Sequence, residues 1–499
     1  MGKEDATRSE PNWRQAACAA FVLCLATATM APGQSLTTLY NFCSQRACPD
    51  GYYPYAKLLQ ATDGSFYGAT ANGGASLYAG TAFKITPSGT LTTLYSFCKQ
   101  SRCADGYRPF ASLVQVTDGN SYGTTVFGGG NGCSGGCGTV FKMTPSGTLT
   151  TLYSFCSQSG CTDGSWPGDN LVQATDGNLY GTTSAGGRGN YGTVFKVTSG
   201  GTLTTIHSFD GTDGAYPTTA GVVQATDGNF YGTTLYGGAN AVGTVFKVAP
   251  SGTLTTLHSF CSQSGCADGY WPYAGLLQAT DGNFYGTTHL GGAYGGGTVF
   301  KITPGGTLTT LYSFCSQSEC TDGQEPFAGL IQATDGNFYG TTQLGGAQGD
   351  GTAFEITPGG TLTTLYSFCS QSECTDGQEP FAGLVQATNG NFYGTTVFGG
   401  THCQPIYDCG GTVFVLSTGL GPFVETLPTS GKVGATVKIL GTDLTGATSV
   451  TFNGTAATLT VVSRSFIRTA VPAGATTGYV QVVTPHGTLT SNVVFRVRP

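Results

Sequence analysis

The motif Tyr-Gly-Thr-Thr, or Tyr-Gly-Ala-Thr in its first copy, begins at Tyr67, Tyr122, Tyr180, Tyr231, Tyr285, Tyr339 and Tyr393. These starts are 51 to 58 residues apart, and seven copies of a unit this long restrict the fold to a propeller or a solenoid. One unit holds four short β runs, at 276–280, 283–288, 297–303 and 307–314. In the last, apolar and aromatic residues alternate with Thr and Ser, which is strand periodicity. Asp281-Gly282 joins the first two runs and predicts a two-residue hairpin turn with positive φ at both positions. Pro304-Gly305-Gly306 joins the last two. Four antiparallel strands per unit, seven times over, predict an all-β seven-bladed propeller. Residues 36–42 copy the fourth strand, while 411–417 copy the third with no fourth behind it. The N-terminal strand is therefore expected to complete the last blade and clasp the ring.

The direction of travel sorts the connections. The Asp-Gly and Pro-Ser-Gly turns fall on one face. The Gly-Gly loops and the cysteine-bearing links between blades fall on the other, where long loops on a rigid scaffold usually carry binding. The stretch 421–499 lacks Cys and Tyr-Gly-Thr-Thr. It runs as short strands at 436–440, 449–452, 459–462, 466–470, 479–483 and 493–497, predicting a small Ig-like β-sandwich. Expected bounds are a signal peptide at 1–34, the propeller at 35–418 and the sandwich at 421–499.

Lys3, Arg8 and Arg14 precede an apolar run at 16–30, a secretory signal too short to span a bilayer. No later segment is apolar enough for a membrane anchor, so a secreted or cell-surface protein without an integral membrane segment is expected. Only 9% of residues are charged and the formal net charge is -7 with no basic cluster, which removes support for a nucleic-acid partner.

Of the 18 cysteines, Cys18 and Cys24 lie in the signal. The other 16 form close pairs: Cys43/Cys48, Cys98/Cys103, Cys133/Cys137, Cys156/Cys161, Cys261/Cys266, Cys315/Cys320, Cys369/Cys374 and Cys403/Cys409. One repeat, 208–214, has lost both cysteines of its link together. Joint loss fits local disulfides in an oxidising compartment. Zinc needs four ligands, so two pairs from different repeats would have to converge on each ion; no metal or other cofactor is expected.

The FYGTT and GTxFKITPxGTLTTLYSF runs resemble the GloVer tandem repeat of bacterial secreted and surface proteins, over residues 35–417. That resemblance implies a surface or extracellular location, often with varied C-terminal anchors, and no defined activity. Pro428-Thr429-Ser430-Gly431, Gly434-Ala435-Thr436-Val437, residues 448–452 and Val471-Pro472-Ala473-Gly474 resemble a bacterial IPT/TIG domain. Such a resemblance implies an Ig-like fold acting as a spacer or interaction module.

Catalytic constellations are sparse, and no hydrolase, P-loop or dinucleotide motif is present. The Asp-Gly aspartates (Asp63, Asp118, Asp176, Asp227, Asp281 and Asp335) read as turn formers. The link aspartates (Asp50, Asp105, Asp163, Asp213, Asp268, Asp322 and Asp376) read as turn caps, since one carboxylate per loop is too few oxygens for calcium. Seven glutamines, from Gln60 to Gln386, recur on the first strand and read as a packing solution. His289 and His402 stand singly in the Gly-Gly loops. Before the recurrent link proline stand Tyr53, Arg108, Trp166, Tyr216 and Trp271, then Glu325 and Glu379. Exposed aromatics at such positions stack on sugar rings or anchor protein contacts. These five residues are the candidate ligand site of a monomeric, non-catalytic binding or adhesion protein, whose partner is an extracellular glycan or a surface protein. The alternative is a carbohydrate-active enzyme with Glu325 and Glu379 as acid and base.

Overall fold

Alternate side chains of a strand point to opposite faces, so a strand buried along its whole length must be covered on both sides. Phe284–Thr288 and its counterparts in the other six units are buried at all five positions. The next strand, Thr298–Ile302, is buried except at Lys301. The cover comes from neighbouring sheets: Tyr285 stacks on Phe338 at 4.1 Å, Tyr231 on Phe284 at 4.1 Å and Tyr339 on Phe392 at 4.3 Å. Each stack is worth about 0.5–1.5 kcal/mol beyond its buried area. Gly286 makes room within the sheet, because a Cβ there would lie 2.7 Å from Cζ of Phe300.

The computed structural model describes residues 34–74, 78–130, 132–217, 221–404 and 408–498, without the side chains of Cys403, Gln404 and Asp408. Among these residues there is no α-helix, and no helix long and apolar enough to cross a membrane. The signal-peptide reading falls on residues outside those described, apart from Gln34.

Seven four-stranded antiparallel sheets follow one another as the blades of a propeller. The fifth is representative, with strands Leu277–Gln278, Phe284–Thr288, Thr298–Ile302 and Leu308–Ser313 in sequential order. The seventh joins Val385–Gln386, Phe392–Thr396 and Thr412–Ser417 to the N-terminal strand Ser35–Asn41, in register from Ser35 opposite Ser417 to Asn41 opposite Thr412. Residues at opposite ends of the array thus share one ladder, as the complementary ends require.

Two local expectations are corrected. The innermost strands are only two or three residues long, because only the residues just before the Asp-Gly turn pair with the next strand, as Leu277 and Gln278 do with Tyr285 and Phe284. The Asp-Gly turn is a three-residue loop, not a two-residue one. Gly282 N–H donates to the Ala279 carbonyl at 2.9 Å and Ala279 N–H to that of Asn283 at 2.9 Å, with positive φ at Gly282 alone. Asp281 Oδ1 accepts the Asn283 N–H at 3.0 Å, which holds the aspartate at negative φ; a type I turn followed by a left-handed glycine results.

The C-terminal residues form a β-sandwich. One sheet has Val424–Leu427, Thr436–Gly441, Phe466–Ala470 and Thr460–Ser463; the other has Thr455–Ala457, Ser449–Phe452, Val480–Thr484 and Gly487–Thr490. Between them lie Val437, Ile439, Val450, Phe452 and Val482. The chain reaches this sandwich by residues 418–423, and hydrogen bonds dock it on the propeller. Phe423 N–H donates to the Thr388 carbonyl at 3.0 Å, and the sandwich lies on the Asp-Gly face. Ser465 Oγ donates to the Thr62 carbonyl at 3.0 Å and Lys438 Nζ to that of Thr117 at 2.8 Å. Arg498 and Arg496 reach the carbonyls of Thr175 and Thr226 at 3.4 and 3.5 Å.

Candidate ligand site at the open mouth of the channel

The innermost strands surround the axial channel, and their repeated glutamine closes a belt around it. Gln332 Oε1 accepts the Thr280 N–H of the preceding blade at 2.9 Å. The same bond recurs from Gln115 to Thr62, Gln173 to Thr117, Gln224 to Thr175, Gln278 to Thr226, Gln386 to Thr334 and Gln60 to Thr388. This belt lies at the Asp-Gly end. Below it a cavity of about 690 Å³ is roofed by the sandwich, with Arg496 and Arg498 in its wall. Backbone pairing therefore accounts for the glutamines.

The opposite mouth is different. A second cavity of about 570 Å³ opens there, lined by residues that follow the link prolines. Those positions carry Tyr55, Phe110, Gly168, Thr218, Tyr273, Phe327 and Phe381; Thr218 lies outside the described residues. Five rings meet edge to face or stacked. Phe110 lies 5.3 Å from Tyr55, Tyr55 5.2 Å from Phe381, Phe381 5.0 Å from Phe327 and Phe327 4.6 Å from Tyr273. The arc breaks at Gly168. All five rings are half-buried; Tyr55, Phe110, Phe327 and Phe381 line the opening, and Tyr273 extends the arc by stacking on Phe327.

Deeper in this mouth the first blades contribute Lys57, Ser112 and Asn170, where later blades have Gly275, Gly329 and Gly383. Asn170 Oδ1 accepts the Ser112 N–H at 2.7 Å. Burial lowers the Lys57 ammonium to about 8, opposed by the negative charge of Glu425 from the sandwich. Burial raises the Glu425 carboxyl, and Lys57 pulls it back down. Lys57 from the propeller and Glu425 from the sandwich thus act on each other's charge across the two domains.

At the rim of the arc, His289 Nε2 lies 3.6 Å from Glu325 Oε2, and Gln343 Nε2 donates to Glu379 Oε2 at 3.0 Å. Burial lowers the His289 imidazole to about 4. The Glu325 carboxyl is raised by burial and by the charge of Glu379. His289 is therefore not isolated, as its position in the sequence suggested.

The residues chosen before the prolines are placed otherwise. Tyr53, Arg108, Trp166, Tyr216 and Trp271 all have positive φ, as do Glu325 and Glu379. Tyr53 packs on Tyr52 at 4.7 Å and Phe398 at 5.1 Å, and the Arg108 guanidinium lies 5.9 Å from the Phe127 ring centroid. Tyr216 and Trp271 both contact Tyr236, at 5.8 and 6.2 Å. Trp166 is the exposed member, at 39%. Sequence reasoning missed the arc itself; its available signal was the aromatic residue one place beyond the proline in five of seven links.

Disulfides join Cys43–Cys48, Cys98–Cys103, Cys133–Cys137, Cys156–Cys161, Cys261–Cys266, Cys315–Cys320 and Cys369–Cys374. Cys409 is also disulfide-bonded and stands opposite Cys403 in a short ladder. The link aspartates brace these loops: Asp105 accepts from Tyr95 Oη at 2.7 Å and from the Lys99 N–H at 2.9 Å. Asp268 instead meets His258 Nε2 at 2.9 Å and accepts the Ser262 N–H at 3.0 Å. Their oxygens serve the loop, in keeping with the turn-cap reading.

Fold and site together define a closed, disulfide-tied β-propeller with an Ig-like lid. The sequence profile of the Gloeobacter/Verrucomicrobia repeat matches residues 26–223 and 218–414, and the chain belongs to that family. An IPT/TIG domain matches residues 423–497. No curated protein matches the chain in sequence. Among solved structures, the extracellular domain of a hybrid two-component system from Bacteroides thetaiotaomicron is 12% identical, with a TM-score of 0.49. That match covers 94% of this chain but 59% of the other. An oxidoreductase described as a glucose dehydrogenase from Thermus thermophilus is 15% identical, with a TM-score of 0.39 over 77% of this chain and 100% of its own. A gluconolactonase-family protein is 11% identical, with a TM-score of 0.38 over 79% and 95%.

Proposed function

We propose that this is a secreted or cell-surface, non-catalytic binding protein that takes a glycan into the open mouth of its propeller. The observation that carries this reading is the arc Phe110–Tyr55–Phe381–Phe327 around the cavity, extended by Tyr273 stacked on Phe327, with the other end of the channel roofed. Half-buried rings present flat apolar surfaces suited to the faces of sugar rings, and the clustered disulfides fit an oxidising extracellular setting. The IPT/TIG domain supports the same setting. A glycan array probed with the oxidised chain and with a Phe327→Ala/Phe381→Ala variant tests the reading. Retention of a glycan by the parent alone is expected; equal retention by both, or by neither, counts against it.

One observation favours a second reading, that of a glycosidase. Glu325 is held toward its neutral form beside Glu379, a pairing that resembles a general acid next to a carboxylate base. This reading requires turnover of the retained glycan that vanishes in Glu325→Gln.

A further inference from the structure

The second blade carries an additional crosslink. Its Gly-Gly loop carries its own disulfide, Cys133–Cys137, and this loop folds against the link disulfide Cys156–Cys161. The four Sγ atoms lie within 4.8 Å of one another. The approach is built into the backbone, since a Cβ on Gly132 would stand 2.7 Å from Cys156 Sγ. Cys137 is buried and the other three are half-buried, so the cluster is shielded on one side and reachable on the other. Convergence of two pairs was the condition that zinc binding demanded, and it is met within one repeat and its outgoing link.

We infer that Cys133, Cys137, Cys156 and Cys161 form a redox-gated metal site, with two disulfides in the oxidised state and a tetrathiolate for Zn²⁺ in the reduced state. A tetrahedral zinc with Zn–S of about 2.3 Å needs sulfurs about 3.8 Å apart, so the two sulfurs of each opened disulfide would move apart while the two pairs, already within 4.8 Å of each other, stay close. Each disulfide takes up two electrons and two protons from an external phosphine or dithiol, which is oxidised in turn. The four thiols then release four protons as they ligate one ion, so binding tightens as pH rises.

The test uses the full chain reduced with a phosphine, under exclusion of oxygen, and titrated with Co²⁺ as a spectroscopic stand-in for Zn²⁺. The parent should show thiolate-to-cobalt charge transfer and the d–d bands of tetrahedral cobalt, bleached by added Zn²⁺. The Cys133→Ser/Cys137→Ser variant should bind one equivalent fewer, whereas Cys98→Ser/Cys103→Ser, which removes an isolated link pair, should match the parent. Near-ultraviolet circular dichroism monitors the fold throughout. The inference is overturned by equal cobalt stoichiometry in the parent and the Cys133→Ser/Cys137→Ser variant. It is equally overturned if the parent lacks tetrahedral bands or if its fold collapses on reduction.

Discussion

The two ends of the axial channel are built by opposite rules. At the roofed end every blade contributes the same groups: a glutamine accepting from its neighbour's threonine N–H and an aspartate or asparagine shaping the hairpin. At the open end the blades diverge, so that Lys57, Ser112 and Asn170 face three glycines below an incomplete arc of rings. Uniform residues solve a problem that every blade shares, namely pairing the polar backbone at its innermost strand. Residues that differ from blade to blade break the ring's symmetry at the open mouth.

The largest test of this division removes whole elements. Deleting Ser35–Asn41 takes the fourth strand from the last blade. It should cost more than about 5 kcal/mol, on the scale of a domain's entire stability, and abolish cooperative unfolding by circular dichroism. Truncation after Thr418, which removes only the lid, should leave a cooperative propeller.

Next, Gln60→Ala leaves the buried Thr388 N–H without its acceptor. It should destabilise by about 2 kcal/mol in denaturant titration without changing ligand affinity. Phe381→Ala should do the reverse, weakening ligand binding about tenfold, or about 1.4 kcal/mol, in calorimetry. Equal loss of stability and affinity in both variants would dissolve the contrast.

The rim also predicts a pH effect. His289 is lowered to about 4 in the folded chain, so the unfolded chain binds its proton first as pH falls. The stability it contributes is present above about pH 6.5 and declines as pH drops toward 4. The parent should lose about 1 kcal/mol over that window relative to His289→Gln, less than the full shift implies because Glu325 lies close. The smallest effect belongs to the uniform face. Four blades pair a lysine with the turn aspartate, as Lys301 does with Asp281 at 3.0 Å, whereas the sixth places Glu355 beside Asp335, and burial and that charge raise its carboxyl. Glu355→Lys should stabilise by about 0.5 kcal/mol, read as a rise in Tm.

The propeller was legible because its signals are periodic. Tyr-Gly-Thr-Thr marks each blade, and the copied fourth strand at the N-terminus announces the closure seen between Ser35–Asn41 and Thr412–Ser417. The lid was not legible, because Lys438, Arg496 and Arg498 meet backbone carbonyls, which leave no mark in a sequence. The candidate arc stands two residues beyond the positions that the sequence singled out, as Tyr55 does from Tyr53. In extended chain, residues two apart share a face, so Tyr53 and Tyr55 would be expected on the same side. Positive φ at Tyr53, and at its six counterparts, breaks that alternation. Tyr53, Tyr216 and Trp271 pack on aromatic neighbours, whereas Tyr55 and Phe381 line the mouth. The cysteine cluster was hidden for a similar reason: the pairs at 133/137 and 156/161 are local in sequence, and only the folded loop brings their sulfurs together.

Calorimetric titration of an array-retained glycan into three full-length proteins tests the division between the two ends most directly. These are the parent, Tyr55→Ala/Phe381→Ala at the open mouth and Arg496→Ala/Arg498→Ala at the roofed one. The account predicts that the parent and the arginine variant bind with the same Kd and that the ring variant loses binding. Binding that survives loss of the rings, or disappears with the arginines, would contradict it.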